Sequence, residues 1–197
     1  MTIMTSSHPV EWTLTDAARL LGEPAHRLIY LCEKGVVQPE VQDAEGRGSS
    51  RRFSARNLLE FAVALRLREL GLPASVGAAV NYLLRAFERS VSKKMRDFRL
   101  PESLRLSKAP DLRVVMSDGG TFYFTLHSGG SVSKVYGGVD LDQLSKGKRA
   151  AIERKLAHPS TSNRSASPQE FGRPEGSRYA RVEVSITRIA QDLRLEG

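Results

Sequence analysis

Apolar and polar positions alternate along this chain with two different periods, and the change from one to the other divides it. From Thr13 the spacing is helical: Ala17, Ala18 and Leu21 share a face, and Gly22 follows as a stop. Thr13 and Asp16 stand three residues apart, as a capping box requires, with the acid one methylene short. Pro24 suits the first turn of a second helix, which carries Leu28, Tyr30 and Leu31 and ends at Gly35. Val36, Val37 and Pro39 predict an extended path, Gly46 to Ser50 a flexible tip, and Arg51-Arg52-Phe53 the return. Ser54 caps a third helix over 55–70 with a stripe of Leu58, Ala62, Leu65 and Leu70. Residues 74–98 then place Val76, Val80, Leu83, Phe87, Val91, Met95 and Phe98 at intervals of three and four, with a slip at 87–91–95.

Beyond Pro110 the period becomes two. Leu112 to Met116, Thr121 to His127 and Val132 to Tyr136 read as strands joined by Gly-containing turns. In the second strand Phe122, Phe124 and Leu126 fall on one face, and Tyr123, Thr125 and His127 on the other. One helix is expected through Leu141, Leu144, Lys148, Ile152 and Leu156, opened by Asp140 and Asp142 at its positive end. Residues 157–178, rich in Ser, Pro, Gly and Arg, read as a mobile loop. Residues 179–187 return as a fourth strand, and Ile189, Ala190 and Leu193 close the chain as a short helix. The predicted fold class is α+β. A mostly α N-terminal part with a winged helix-turn-helix comes first, then a long connecting helix, then a small antiparallel sheet with one helix.

Two short helices, an extended excursion and a third helix are the order of a winged helix-turn-helix. Four pieces carry a resemblance: Thr13-Leu14-Thr15-Asp16-Ala17-Ala18; Tyr30 with Glu33-Lys34-Gly35-Val36; Arg51-Arg52-Phe53-Ser54; and Arg66-Leu67-Arg68-Glu69-Leu70-Gly71-Leu72. In this order and spacing they resemble the DNA-binding domain of the MerR family of transcription regulators, over about the first 90 residues. Two positions depart from the family's pattern: its Arg-Tyr-Tyr is here Ile29-Tyr30-Leu31, and its aromatic-Arg pair is here Ser50-Arg51. The resemblance implies double-stranded DNA as partner and a homodimer paired antiparallel through the long helix, which makes Val76, Val80, Leu83, Phe87 and Val91 the expected dimer seam. The same periodicity also fits an amphipathic helix packed on its own domain.

The expected division is a flexible N-terminus at 1–11, a DNA-binding domain at 12–73, a dimerisation helix at 74–99, a connector at 100–110 and a C-terminal α+β effector or partner-binding domain at 111–197. Expected DNA contacts are Thr15, His26, Arg27 and Tyr30 from the helix-turn-helix, and Arg47, Arg51 and Arg52 from the wing. His26 and Arg27 stand near the start of the second helix, where side chains reach base edges. Tyr30 fits either a phosphate contact or packing on Leu14.

Charge sharpens this only locally. The net charge is +8, yet residues 1–70 hold 9 basic and 9 acidic side chains, while 71–110 hold 8 and 3. A neutral module binds DNA when its cations share one face, as Arg47, Arg51, Arg52 and Arg56 would. No apolar run is long enough to span a membrane and the N-terminus has no signal-peptide pattern, so a cytoplasmic, nucleoid-associated protein is expected. His8, His26, His127 and His158 share no metal-ligand interval, Cys32 stands alone, and no phosphate-cradling loop is present. No cofactor and no enzyme activity are expected. The rival reading is an architectural or partner-recruiting DNA-binding protein whose C-terminal domain docks another macromolecule. A C-terminal domain holding a small-molecule or protein effector is the other.

Overall fold

The structure is a computed structural model that describes residues 11–41, 51–117, 120–129, 131–147, 149–158, 181–193 and 195. The expected wing tip, the first ten residues and all of the expected mobile loop except 157 and 158 lie outside the described residues.

A two-residue strand β1 (Trp12–Thr13) leads into α1 (Leu14–Leu21). The Thr13–Asp16 capping box is formed: the Asp16 N–H donates to Thr13 Oγ1 at 3.2 Å and the Thr13 N–H donates to Asp16 Oδ2 at 3.2 Å. Gly22, at φ +65°, ends the helix in the left-handed region. α2 (Ala25–Glu33) follows, with Pro24 one position earlier than expected, as its N-cap. β2 (Arg52–Phe53) pairs antiparallel with β1, Trp12 opposite Phe53 and Thr13 opposite Arg52. Ser54 caps α3 (Ala55–Glu69) in a second capping box with Asn57, and α4 (Ala74–Ser92) runs back along it.

The stripe expected on α3 is too narrow. Asn57, Leu58, Leu59, Glu60, Phe61, Val63, Ala64 and Leu67 are all buried, whereas Leu70 is half exposed. Burial of Asn57 and Glu60 on a central helix demands partners, and a polar network supplies them. The Glu60 carboxylate takes two bonds from Arg85 of α4, one of them Arg85 Nη2 to Oε2 at 2.6 Å, and a third from Asn57 Nδ2 at 3.2 Å. Asn57 Nδ2 also donates to the Gln38 carbonyl at 2.9 Å, and Asn57 Oδ1 accepts the Glu40 N–H at 2.9 Å. Arg56 bridges Glu40 at 2.6 Å and Glu88 at 2.8 Å, and Glu88 accepts the Leu100 N–H at 3.0 Å. On α4, Arg85 is thus half buried and Glu88 fully buried, both within this network. Arg56 is half buried and held by two carboxylates, Glu40 and Glu88.

α4 also ends earlier than its apolar spacing suggests. After Ser92 the chain turns, the Ser92 hydroxyl donates to the Phe98 carbonyl at 3.0 Å, and Phe98 folds back edge-on to Phe87 with 6.2 Å between centroids. Met95, the next expected seam position, is 61% exposed. The slip in spacing at 87–91–95 marks this turn.

The connector holds a short helix, α5 (Glu102–Arg105), and buries Leu100 and Leu104. The sheet is β3 (Asp111–Ser117), β4 (Thr121–Ser128), β5 (Ser131–Asp140) and, after two helices, β6 (Arg181–Ser185). All its pairs are antiparallel, in the order β5-β4-β3-β6. β5 is longer than expected because a bulge at Gly137 carries it past Tyr136. Gly137 sits at φ +109°, where a Cβ would lie 2.9 Å from the Phe122 carbonyl oxygen. The single expected helix is two, α6 (Leu141–Ser145) and α7 (Arg149–Ala157), separated by Gly147 at φ +64°. α8 (Ile186–Asp192) closes the described chain. A second register shift, between Leu126 and His127, leaves Ser133 of β5 without an opposite residue on β4. Thr125 and His127, on the face of β4 away from Phe122 and Phe124, are buried and hydrogen-bonded to each other at 3.0 Å, while Leu126 is only half buried. Burial, with the Arg113 charge nearby, holds the His127 imidazole below its usual pKa.

Leu112, Val114, Met116, Phe122, Phe124 and Val184 form the inner face of the sheet, which α4, α7 and α8 cover. Phe87 of α4 stacks on Phe124 at 5.3 Å and meets Tyr136 edge-on at 5.1 Å. The buried residues from Trp12 to Leu193 make one continuous core. The expected separation at 100–110, with a core of its own on either side, does not appear. The far end of α4 is covered by the sheet and α7. Val80, Leu83 and Phe87 are fully buried there, and Val76 and Val91 pack half buried at the margin.

Two outcomes follow. Leu83→Glu or Phe87→Glu places a charge inside the chain's own core. Each should cost about 4 kcal/mol or more and lower the melting temperature steeply, rather than release folded monomers. Thermal unfolding with sedimentation separates the two results. Arg85→Met leaves the Glu60 carboxylate buried without its cation, at a cost of about 3–5 kcal/mol at neutral pH. Burial already outweighs the Arg85 bonds and holds Glu60 above its usual pKa, so its contribution is present in acid and fades as pH rises. The deficit of the variant should therefore shrink as pH falls, starting above the ordinary carboxylate value of 4.5 because Glu60 takes up its proton early; a pH-independent deficit would contradict this account.

Candidate nucleic-acid interface

α1, the turn at Gly22 and α2 make a helix-turn-helix. Leu28 and Leu31 bury one side of α2 against α1 and α3, which leaves His26, Arg27, Tyr30 and Lys34 exposed on the other. Tyr30 follows His26 by four positions and Arg27 by three, and Lys34 follows Tyr30 by four, so they share a surface. Arg27 Nη1 lies 2.9 Å from Glu23 Oε2, a surface pair with 60% of the Arg27 side chain exposed. Such a pair contributes little and is readily exchanged for a stronger anion.

Tyr30 is not an interior residue packed on Leu14. It is 37% exposed, and its ring carries the Arg68 guanidinium at 4.9 Å and the Lys34 ammonium at 5.7 Å. Arg68, in the last turn of α3, thereby joins Arg27 and Lys34 in a cationic patch along α2. The sequence reading omitted Arg68 from the site, although its place opposite the buried Leu67 marks it as outward-facing. The patch also explains how a region with no net charge presents positive charge locally: Glu60, Glu40 and Asp16 are bound to partners elsewhere.

The second group of expected contacts flanks the start of α1. The ladder sets Arg52 opposite Thr13, and Thr15 is exposed in the first turn. Asp16 occupies the helix start. Hydrogen bonds from the Thr13 hydroxyl and backbone, with the charges of Arg19 and Arg52, hold its carboxyl below its usual pKa. Arg51 and Arg52 are half buried, and Arg47 lies outside the described residues. The structure thus brings His26, Arg27 and Tyr30 together on one face of α2 and places Thr15 and Arg52 beside the head of α1.

Among the described residues no cluster of three or more His, Cys, Asp or Glu side chains is arranged to hold a metal ion. Cys32 is half buried in α2 and makes no disulfide. No described helix is long and apolar enough to cross a membrane.

No curated protein matches the chain. Residues 12–76 match the family model described as MerR HTH family regulatory protein, a span that runs from β1 into the first turn of α4. Residues 12–76 are therefore a MerR-type helix-turn-helix region.

Proposed function

We propose that the chain is a sequence-specific DNA-binding transcription regulator of MerR type, whose C-terminal α+β part serves sensing or interaction. The observation that carries the reading is the exposed cationic face of α2 on a domain of this type. In this reading α2 lies in the major groove, with Arg27 and His26 at base edges. Tyr30, Lys34 and Arg68 meet phosphates on one side, and Arg51, Arg52 and Arg47 meet the flanking backbone. Thr15 donates to a phosphate at the head of α1. The working place is wherever the chromosome is, in the cytoplasm.

Regulators of this family act as homodimers, and the proposal keeps that feature. The apolar face of α4 is already in this chain's core, so pairing would draw on other surfaces. Sedimentation across a micromolar range tests the dimer directly, and a persistent monomer would remove it.

A second, architectural reading draws on a different observation. The turn after α4 exposes Lys93, Lys94 and Arg96, with Arg99 beside them, a basic surface suited to sequence-independent contact with phosphates. Selection of bound sequences from random duplex DNA distinguishes the two. A defined site supports the regulator, and retention without preference supports the architectural protein. Within the regulator reading, Arg27→Ala should relax preference at one base position, at a cost of about 1–3 kcal/mol. Arg52→Ala should weaken all sequences alike and lower the salt slope by about one. Uniform loss in both variants would show that α2 does not read bases.

A further inference from the structure

Two legs lead to and from the expected wing: residues 36–41, which leave α2, and residues 51–54, which return through β2 to α3. Residues 36–41 and 51–57 hold one acid, Glu40, among three arginines, Arg51, Arg52 and Arg56. An acid placed among cations that meet phosphates weakens their attraction for the duplex, so its own bonds are informative. The Ser54 hydroxyl donates to Glu40 Oε2 at 2.6 Å, and Arg56 Nη1 donates to Glu40 Oε1 at 2.6 Å. The Glu40 N–H donates to Asn57 Oδ1 at 2.9 Å. Two residues earlier, the Gln38 carbonyl accepts from Asn57 Nδ2 at 2.9 Å and from Arg85 Nη2 at 3.3 Å. Glu40 thus ties the outgoing leg to three residues at the point where the returning leg becomes α3.

That point lies close to the proposed wing contacts. Ser54 stands two positions after Arg52, and its hydroxyl oxygen also accepts the Asn57 N–H at 3.2 Å as the cap of α3. The carboxylate therefore sets the hydroxyl that both caps the helix and closes the base of the two legs. β2 is only two residues long, and a ladder that short is marginal by itself. Phe53 anchors the returning leg in the core, while Arg51 and Arg52 before it are half buried. Both bonds to the Glu40 carboxylate are charge-assisted, the stronger kind.

We propose that Glu40 is a positioning residue for DNA binding: it touches no DNA, and it holds the two legs in the arrangement that presents Arg51 and Arg52 to the phosphates. The inference rests on the DNA-binding reading above. An arrangement already held in the free chain spares an ordering cost that binding would otherwise meet. The sign of the effect is diagnostic. By charge alone, loss of a carboxylate beside the duplex strengthens binding; loss of a positioning group weakens it.

The test is a set of anisotropy titrations of the full chain on a selected duplex and on a scrambled one, across a range of salt. Glu40→Ala should weaken both by about fivefold, because the same phosphates are met at a higher ordering cost. Preference between the duplexes and the salt slope should stay as in the wild type. Glu40→Gln keeps a neutral acceptor for Ser54 and should fall between the two; it carries the test if the alanine variant melts below the assay temperature. In a chain already carrying Arg51→Ala and Arg52→Ala, Glu40→Ala should cost less than about twofold. An equal loss in that background assigns Glu40 to the fold alone and overturns the proposal. So does unchanged or tighter binding by Glu40→Gln, and so does a steeper salt slope, which would mean that the released Arg56 meets a phosphate. Each of these failures leaves wild-type binding intact, whereas a wild-type chain that holds neither duplex sinks the DNA-binding reading and this inference with it.

Discussion

The fold turns on one buried carboxylate. Glu60 sits in the middle of α3 with almost no contact with solvent, and a carboxylate there is tolerated only if its bonds are made. Arg85 reaches it from α4 and Asn57 from its own helix. The Glu60 carbonyl and the Val36 carbonyl both accept from Asn81, which ties the same helix to the end of the helix-turn-helix. Arg56 and Glu88 extend the network to Glu40 at the base of the expected wing and to Leu100 in the connector. The relative setting of α3, α4 and the segment 36–40 is therefore fixed by directional bonds. Apolar packing alone would let two antiparallel helices slide along one another. The network is specific because each partner is charged or bidentate and its loss leaves another group unpaired.

That setting decides what α4 is for. With its first turns held against Val36 and Ala64 at Gly77, its later turns deliver Phe87 to the sheet. Phe87, Phe98, Phe124 and Tyr136 then close a junction of aromatic rings between parts that the sequence would separate. The helix through which regulators of the resembling family pair is here an internal strut. A small sheet with one apolar face cannot stand alone, and α4, α7 and α8 give it the cover it needs.

Much of this was legible in the sequence because it is local. The Thr13–Asp16 capping box, the Ser54 cap, the stops at Gly22 and Gly35, the meander from 111 to 140 and the order of the helix-turn-helix depend on residues within a few positions of each other. What escaped depends on distant partners. Charged residues such as Arg85 and Glu88 usually face solvent, and only Glu60 and Arg56, 25 and 32 positions away, draw them inward. Periodicity alone could not tell a dimer seam from a core stripe, since both bury the same residues and differ only in whose chain does the covering. The break of one expected helix into α6 and α7 was visible as Gly147, and the end of α4 as a slipped interval, but each signal is ambiguous alone. Of the expected DNA contacts, those on α2 share one face because helical spacing fixes faces. Arg68 was missed because it arrives there from another helix.

The two halves of the functional reading meet at α1 and α3. Their inner sides carry the shared core, so they cannot move freely against α4 without breaking the Glu60 network. Their outer sides border a cleft facing β6 and α8, where contact with the C-terminal part is looser. A change in the distance across the cleft therefore costs fewer contacts than any change across α3 and α4. If the C-terminal part influences DNA binding, this is the boundary at which it can do so at least expense to the fold. The Glu23–Arg27 pair stands where that boundary reaches α2: a glutamate lining the cleft holds an arginine exposed on the outer face of that helix.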